Sequence, residues 1–517
     1  MSDRRPSRRS RLAVAALALF AVASATEGAE KVLVYALEGG PESLDFAKAG
    51  LTERSLRVAW LLCDTLVNVS RGGQGLERGL AESWTLSPDG LRAVVRLRPG
   101  ALFHDGTPVD APSVKAGFER QFRSAHALYS AEPKNVKEPM LRELVEDIQV
   151  QDRLTLGFTL KYPGFHYLSQ VEVMSPTAIA RLGKEFGRNP VCSGPFRFEG
   201  WTADRITVTA FDRYWAGRPR IDRVVFRFIA DGKAAVDALL AGEVDFVPVL
   251  PDPAFFERVR ESPRVKLLPV SGLNVFYVGF YTERPPFNNP RLRRAVVQAI
   301  NVPRTALFLG RGAAVAAKGP LPPAMKGHDP TVSQPTHDPP AARALLGEGG
   351  HDAPLSVGLV HNSAVAFVSE LAGAIQSDLR RAGLHVQLIG KPTWRDVVSA
   401  VRAREGDMYV YSWHVRAPHP ERLLVPLFHS RSLGTTNLTH YRNPALDRLL
   451  DEAARTPEGP EQTRLYAQAQ KLIVEDAPMV FLFHTVRMAG YADRVQGLQL
   501  NLGSLPHDKL VTVDLVP

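Results

Sequence analysis

The chain is poor in cysteine: Cys63 and Cys192 are all that its 517 residues contain, so at most one disulfide can form. Spacing leaves two states open, one bond closing a long loop or two separate buried thiols. Catalytic signatures are missing as well. There is no H-E-x-x-H helix, P-loop, G-x-S-x-G elbow or Gly-rich dinucleotide fingerprint after a strand, which removes the enzyme classes that depend on them. The formal charge is +9, but Arg4, Arg5, Arg8, Arg9 and Arg11 against Asp3 supply four of those charges. The remainder is spread along the chain rather than massed, so no nucleic-acid footprint is read. Internal repeats and low-complexity tracts are also absent.

The N-terminal arginines precede an apolar run, Leu12 to Ala23, and the small-residue pattern Ala23-Ser24-Ala25. That order is the architecture of a cleaved secretory signal over residues 1–29, and the run is too short for a permanent membrane anchor. Ser7-Arg8-Arg9-Ser10-Arg11-Leu12 partly matches a twin-arginine signal, with Arg11 where an apolar residue is usual, so the Sec and twin-arginine routes both stay open. No cysteine stands at the cleavage site for a lipid anchor. A soluble periplasmic protein is expected, and its length requires two or three lobes rather than one core.

Turn chemistry organises the stretch Leu80 to Arg120. Ser87-Pro88-Asp89-Gly90 reverses the chain, Leu91 to Arg98 alternates apolar residues with arginine, and Asp110 is placed to cap a helix through Val114, Phe118 and Phe122. Further on, strands are expected over Lys31–Leu37, Ile221–Ile229, Val244–Val249 and Ala477–His484. Helices are expected over Ala234–Leu240, Arg291–Ile300, Leu371–Leu384 and Tyr466–Glu475. This alternation indicates α/β lobes.

The order strand, SPDG turn, strand, FHDGTP loop, capped helix resembles family 5 extracellular solute-binding proteins, the periplasmic receptors of peptide and nickel ABC importers. Gly39-Gly40-Pro41-Glu42-Ser43-Leu44-Asp45-Phe46, Cys192-Ser193-Gly194-Pro195-Phe196, Tyr214-Trp215-Ala216-Gly217 and Gly319-Pro320-Leu321-Pro322-Pro323 extend the likeness from about Val32 to the end of the chain. The resemblance implies a two-lobed α/β periplasmic-binding-protein fold. Lobe I would comprise 30–72, 190–269 and 484–517, with an inserted subdomain over 73–189, and lobe II would be continuous over 270–483. Hinge crossings then fall near Val270 and His484. A ligand held between the lobes stabilises the closed form by its differential contacts, and no catalysis is expected.

Tyr409 to Pro420 is similar to the family's pocket segment W-x-x-D-Y-P-D-P. Arg416 stands where peptide-binding members carry the Asp that pairs with the ligand's α-ammonium, and His419 replaces the second Asp. A guanidinium cannot accept from an ammonium, so Arg416 can clamp an anion, bridge to an internal acid or face solvent. Trp413 and Tyr411 offer apolar and stacking contact, and His414 with His419 offers ligation to a chelated metal, though without the spacing of a preformed metal site. Glu42, Ser43 and Phe46 would enter the cleft from the first lobe, Asn274 and Tyr277 lie at the crossing, and His361-Asn362 precedes a second-lobe helix. Tyr214 and Trp215 are read as packing.

The expected function is a substrate-binding protein that captures a peptide or peptide-like molecule, anionic ones included, and delivers it to an inner-membrane ABC permease. It would act as a monomer, without cofactor or resident metal. A receptor for nickel or another metal chelate is the alternative within the fold. An exported hydrolase using Cys192 is the alternative of another class, for which sequence order assigns no base.

Overall fold

The turn Ser87-Pro88-Asp89-Gly90 forms as its residues require. In a computed structural model describing residues 30–48, 52–73, 75–129, 137–250, 254–309, 312–348, 355–415 and 418–516, Gly90 adopts φ 68°. It donates its N–H to the Ser87 carbonyl at 2.8 Å. The strand Arg92–Leu97 follows, burying Ala93, Val95 and Leu97 and exposing Arg92, Val94 and Arg96. It lies within a four-stranded antiparallel sheet with Ala81–Leu86, Thr155–Leu160 and Val145–Asp152. Phe118 and Phe158 meet edge-to-face at 5.8 Å in the core beneath it.

Asp110 caps the helix Ala111–Glu119, accepting from the Ser113 N–H while Ser113 Oγ accepts from the Asp110 N–H, each at 3.0 Å. The helix ends before Phe122, contrary to the sequence pattern. Its last turn tightens, with Gln121 N–H on the Phe118 carbonyl and Phe122 N–H on the Glu119 carbonyl, and Phe122 is buried from that turn.

A larger sheet holds the rest together. Its order is Leu384–Lys391, Leu355–Asn362, Met408–His414, Asn274–Phe280, Met479–Ala492, Phe246–Val247, Val32–Leu37, Arg223–Phe228, Arg205–Ala210 and Phe196–Trp201. Asn274–Phe280 is buried along its whole length, because Val275 and Tyr277 face one core while Phe276, Val278 and Phe280 face another. The strand expected to end at His484 runs on to Ala492. Up to Thr485 it pairs with Asn274–Phe280 and Ala314–Ala316, and from Val486 with Val265–Ser271 and Phe246–Val247. The fold is thus the two-lobed α/β periplasmic-binding-protein architecture, with one discontinuous and one continuous lobe.

The second crossing is tied to the first. Gly272 donates its N–H to the Thr485 carbonyl at 2.8 Å, and a Cβ on Gly272 would lie 2.6 Å from that oxygen, so only glycine permits the approach. Asn274 Oδ1 accepts from Thr485 N–H at 3.0 Å and from its hydroxyl at 2.9 Å. Beside them His484, 3% exposed, donates Nδ1–H to the Asn274 carbonyl at 2.7 Å.

Burial draws the His484 pKa from 6.5 to about 4, against the opposing pull of that hydrogen bond. A depressed histidine binds its proton more readily when unfolded. The stability held by the neutral ring is therefore complete above about pH 6.5 and is lost as pH falls toward 4, by roughly 2–3 kcal/mol for this group. Denaturant titrations at pH 7 and pH 4 should show a smaller acid-induced loss in His484→Gln than in the parent. Equal losses would refute the assignment.

Candidate functional site

The helix Glu53–Leu62 is apolar on two sides. Val58, Leu61 and Leu62 enter the first-lobe core, while Leu56, Ala59, Trp60 and the capping Cys63 recur at helical spacing on another face. That second face walls a cavity of about 550 Å³. One stretch of the chain contributes Met140, Ser169 and Gln170, and another contributes Trp413, Val415, Pro418 and Pro426. The C-terminal loop contributes Leu502 and Leu505. Trp60 donates its indole N–H to the Pro506 carbonyl at 2.6 Å, and Trp413 donates its own to the Arg422 carbonyl at 3.0 Å. Both indoles are held at their polar edges, leaving apolar surface for a guest.

Besides Arg422 in the cleft wall, charge is concentrated at two places. Lys137 and Glu172, both buried, form an ion pair in the wall. Burial pulls the Lys137 ammonium down to about 7, opposed by the Asp45 carboxylate. The other place is an adjoining recess of about 160 Å³ lined by Glu53, Arg57, Asn274, His414, Thr485 and Arg487. Glu53 accepts from Arg57 at 2.8 Å and pairs with Arg487 at 3.0 Å. Burial pushes the Glu53 carboxyl up, but Arg487 and Arg57 outweigh it and hold the pKa below its ordinary value.

One carboxylate therefore faces two guanidinium groups. Among the described residues, buried Arg57 Nε and Nη1 have no hydrogen-bond acceptor. The His414 ring is open to water within the cleft, yet the enclosing walls and then Arg487 lower its pKa and favour the neutral form. This end of the cleft carries net positive charge and suits a carboxylate.

The sequence-predicted residues separate into groups. Trp413 and His414 line the cleft, and Asn274 lines the recess while bracing the crossing. Arg416 and the signal segment 1–29 lie outside the described residues. Tyr277 is instead a core residue, and half-buried Tyr411 packs edge-on against it and against Trp394. Glu42 is exposed and is absent from the cleft lining. Ser43 accepts from the Asp45 N–H in a local turn, and Phe46 is in the first-lobe core. His361 is buried away from the lining. Asn362 is used up at a helix start, its Oδ1 accepting from Ala364 N–H at 3.0 Å and Val365 N–H at 3.2 Å. His419 is buried beside the cleft, stacked on His166.

Cys63 and Cys192 are joined, with an S–S distance of 1.98 Å, so Cys192 presents no thiol for nucleophilic chemistry. Sequence reasoning did not find Trp60, Arg57, Arg487 or the Leu502 loop. The repeat Leu56, Ala59, Trp60, Cys63 was a usable signal, because an apolar face opposite a core-facing one needs something to cover it. Nothing local marked Arg487, which reaches the recess only through the long strand.

Comparison with known proteins agrees with this geometry. Residues 75–435 match the family described as bacterial extracellular solute-binding proteins, family 5 Middle. Heme-binding protein A of Haemophilus influenzae is 30% identical over 458 residues, covering 84% of this chain and 83% of its own. Di/tripeptide-binding protein 2 of Pseudomonas aeruginosa is 28% identical, covering 94% and 95%. The structure of HbpA2 from Haemophilus parasuis superposes with a TM-score of 0.87 at 25% identity, covering 94% of this chain and all of that one. This chain belongs to the family 5 extracellular solute-binding proteins, periplasmic transport receptors that bind without catalysis.

Proposed function

We propose that this receptor captures a peptide or peptide-like molecule with a free carboxylate and passes it unaltered to the permease of an inner-membrane ABC importer, acting as a monomer. One observation carries the reading: an apolar cleft flanked by Trp60 and Trp413 ends in a recess where Arg57 and Arg487 outnumber Glu53. The ligand's apolar groups lie against the indoles and its carboxylate faces the guanidinium end. The 28% identical relative that binds di- and tripeptides supports the substrate class. Lobe I is assigned to 30–72, 190–269 and 484–517 with its insert over 73–189, and lobe II to 270–483. The exchange of strand partners between Thr485 and Val486 supports the second crossing.

Native mass spectrometry after incubation with a mixed di- and tripeptide library should recover bound peptide, whose affinity calorimetry then measures. Trp413→Ala should weaken that peptide about ten- to hundredfold. Arg487→Met should weaken the free acid while leaving the C-terminal amide unchanged. Equal affinity of the native protein for acid and amide would sink the carboxylate assignment, and recovery of no peptide would sink the substrate class.

A metal chelate is the second reading. The broad apolar walls, the neutral His414 ring and the 30% identity to a heme-binding relative favour an aromatic macrocycle. Titration with haem, followed by its visible absorption, should then show saturation that His414→Ala abolishes. Unsaturable absorption changes would dismiss it.

A further inference from the structure

Beside the cleft, three segments distant in sequence bring nitrogen and oxygen donors together. His166 comes from the turn Phe165–Gln170 of the inserted segment, His419 precedes the N-cap Pro420 of the helix Glu421–Phe428, and Glu458 sits before the helix Pro460–Asp476. One potential ligand atom from each lies within 4.8 Å of the other two. The imidazoles stack with centroids 4.2 Å apart and planes 9° from parallel. His419 is only 5% exposed, and among the described residues neither of its ring nitrogens has a hydrogen-bond partner; His166 Nε2 is likewise buried and without a partner there. A small void of about 30 Å³ opens onto all three residues.

Polar atoms buried in this way ordinarily have a partner, because leaving them unpaired costs the full desolvation penalty of each group. A metal ion would satisfy them. His166 Nδ1 lies 3.3 Å from a Glu458 oxygen, and His419 Nδ1 lies 4.0 Å from a Glu421 oxygen. Glu458 thus already approaches the His166 ring, while Glu421 lies beyond hydrogen-bond reach of His419. Two imidazoles and a carboxylate suit a borderline cation such as Zn²⁺, whereas Mg²⁺ prefers an all-oxygen shell.

We propose that His166, His419 and Glu458 form a binding site for a divalent transition metal of the zinc class, linking the inserted segment to the second lobe. Tetrahedral zinc needs its donors about 3.3 Å apart, so the imidazoles rotate out of their stack as the two segments draw together. The Lys326 ammonium, 2.7 Å from Glu458, swings aside to free that carboxylate. Ser169 and Gln170 follow His166 in the cleft wall, and Pro418 precedes His419 there. Metal at this point would therefore clamp one edge of the cleft, beyond any contact with the transported ligand.

The test uses the full-length chain stripped with a chelator and titrated calorimetrically with zinc chloride alone. One equivalent should bind, at least tenfold more weakly in His166→Ala and in Glu458→Gln. His419→Ala removes a buried ring, so circular dichroism must first show that it folds; the other two substitutions remain decisive if it does not. Absence of saturable binding below 100 µM zinc, or undiminished binding in either of those two variants, overturns the site.

Discussion

Replacing Asp64 with alanine should lower the free energy of unfolding by about 3–5 kcal/mol, the range for breaking a buried ion pair from one side. Asp64 is 1% exposed. It accepts from Lys509 Nζ at 2.6 Å, Trp215 Nε1 at 2.8 Å and Tyr214 Oη at 3.1 Å. Alanine would leave the buried Lys509 ammonium without its counter-charge, held by the Cys63 carbonyl and the Trp60 ring face, and would leave two aromatic donors unpaired. Urea denaturation measures the loss. Asp64→Leu combined with Lys509→Met should be less damaging than Asp64→Ala, because the stranded charge is gone. A double variant at least as unstable as Asp64→Ala would show that the charge pair is not what matters. Tyr214 and Trp215, read from sequence as packing, thus also hold the acid that joins the first-lobe helix to the C-terminal loop.

Converting both Cys63 and Cys192 to alanine should reduce stability by roughly 2–5 kcal/mol, since the bond spans 129 residues of sequence and restricts the unfolded chain accordingly. Cys63 also forms part of the cleft wall. Chemical denaturation with and without dithiothreitol should reproduce the shift in the parent protein and show none in the double variant. An unchanged midpoint under reduction would mean that the covalent link contributes nothing to stability. Ligand affinity should fall less than stability, because Trp60 and Trp413 are oriented by separate hydrogen bonds.

Elements with a local signature were readable in advance. The proline–glycine turn at Ser87–Gly90, the Asp110 cap and the period-two strand Arg92–Leu97 all depend on neighbours within a few residues. Asn362 shows the opposite case. Its place before a helix was visible, but whether its amide faced a ligand or folded back onto its own loop depended on backbone direction, and it accepts from the Ala364 and Val365 N–H groups ahead of the helix. Tyr277 lies at the crossing, and the alternation of the strand tells which residues share a face with it. It does not tell that both faces of Asn274–Phe280 are covered.

The sequence alone determined the periodicities, turns and motif order that specify a hinged α/β receptor, since these arise from short-range sterics and hydrophobic patterning. Only the tertiary structure decided which side chains meet in the cleft. Trp60, Trp413, Arg57 and Arg487 are brought together from three distant segments, and His166 is brought to His419 and Glu458. Such meetings depend on how two lobes and an insert dock across the long strand, a long-range geometry that no local pattern encodes.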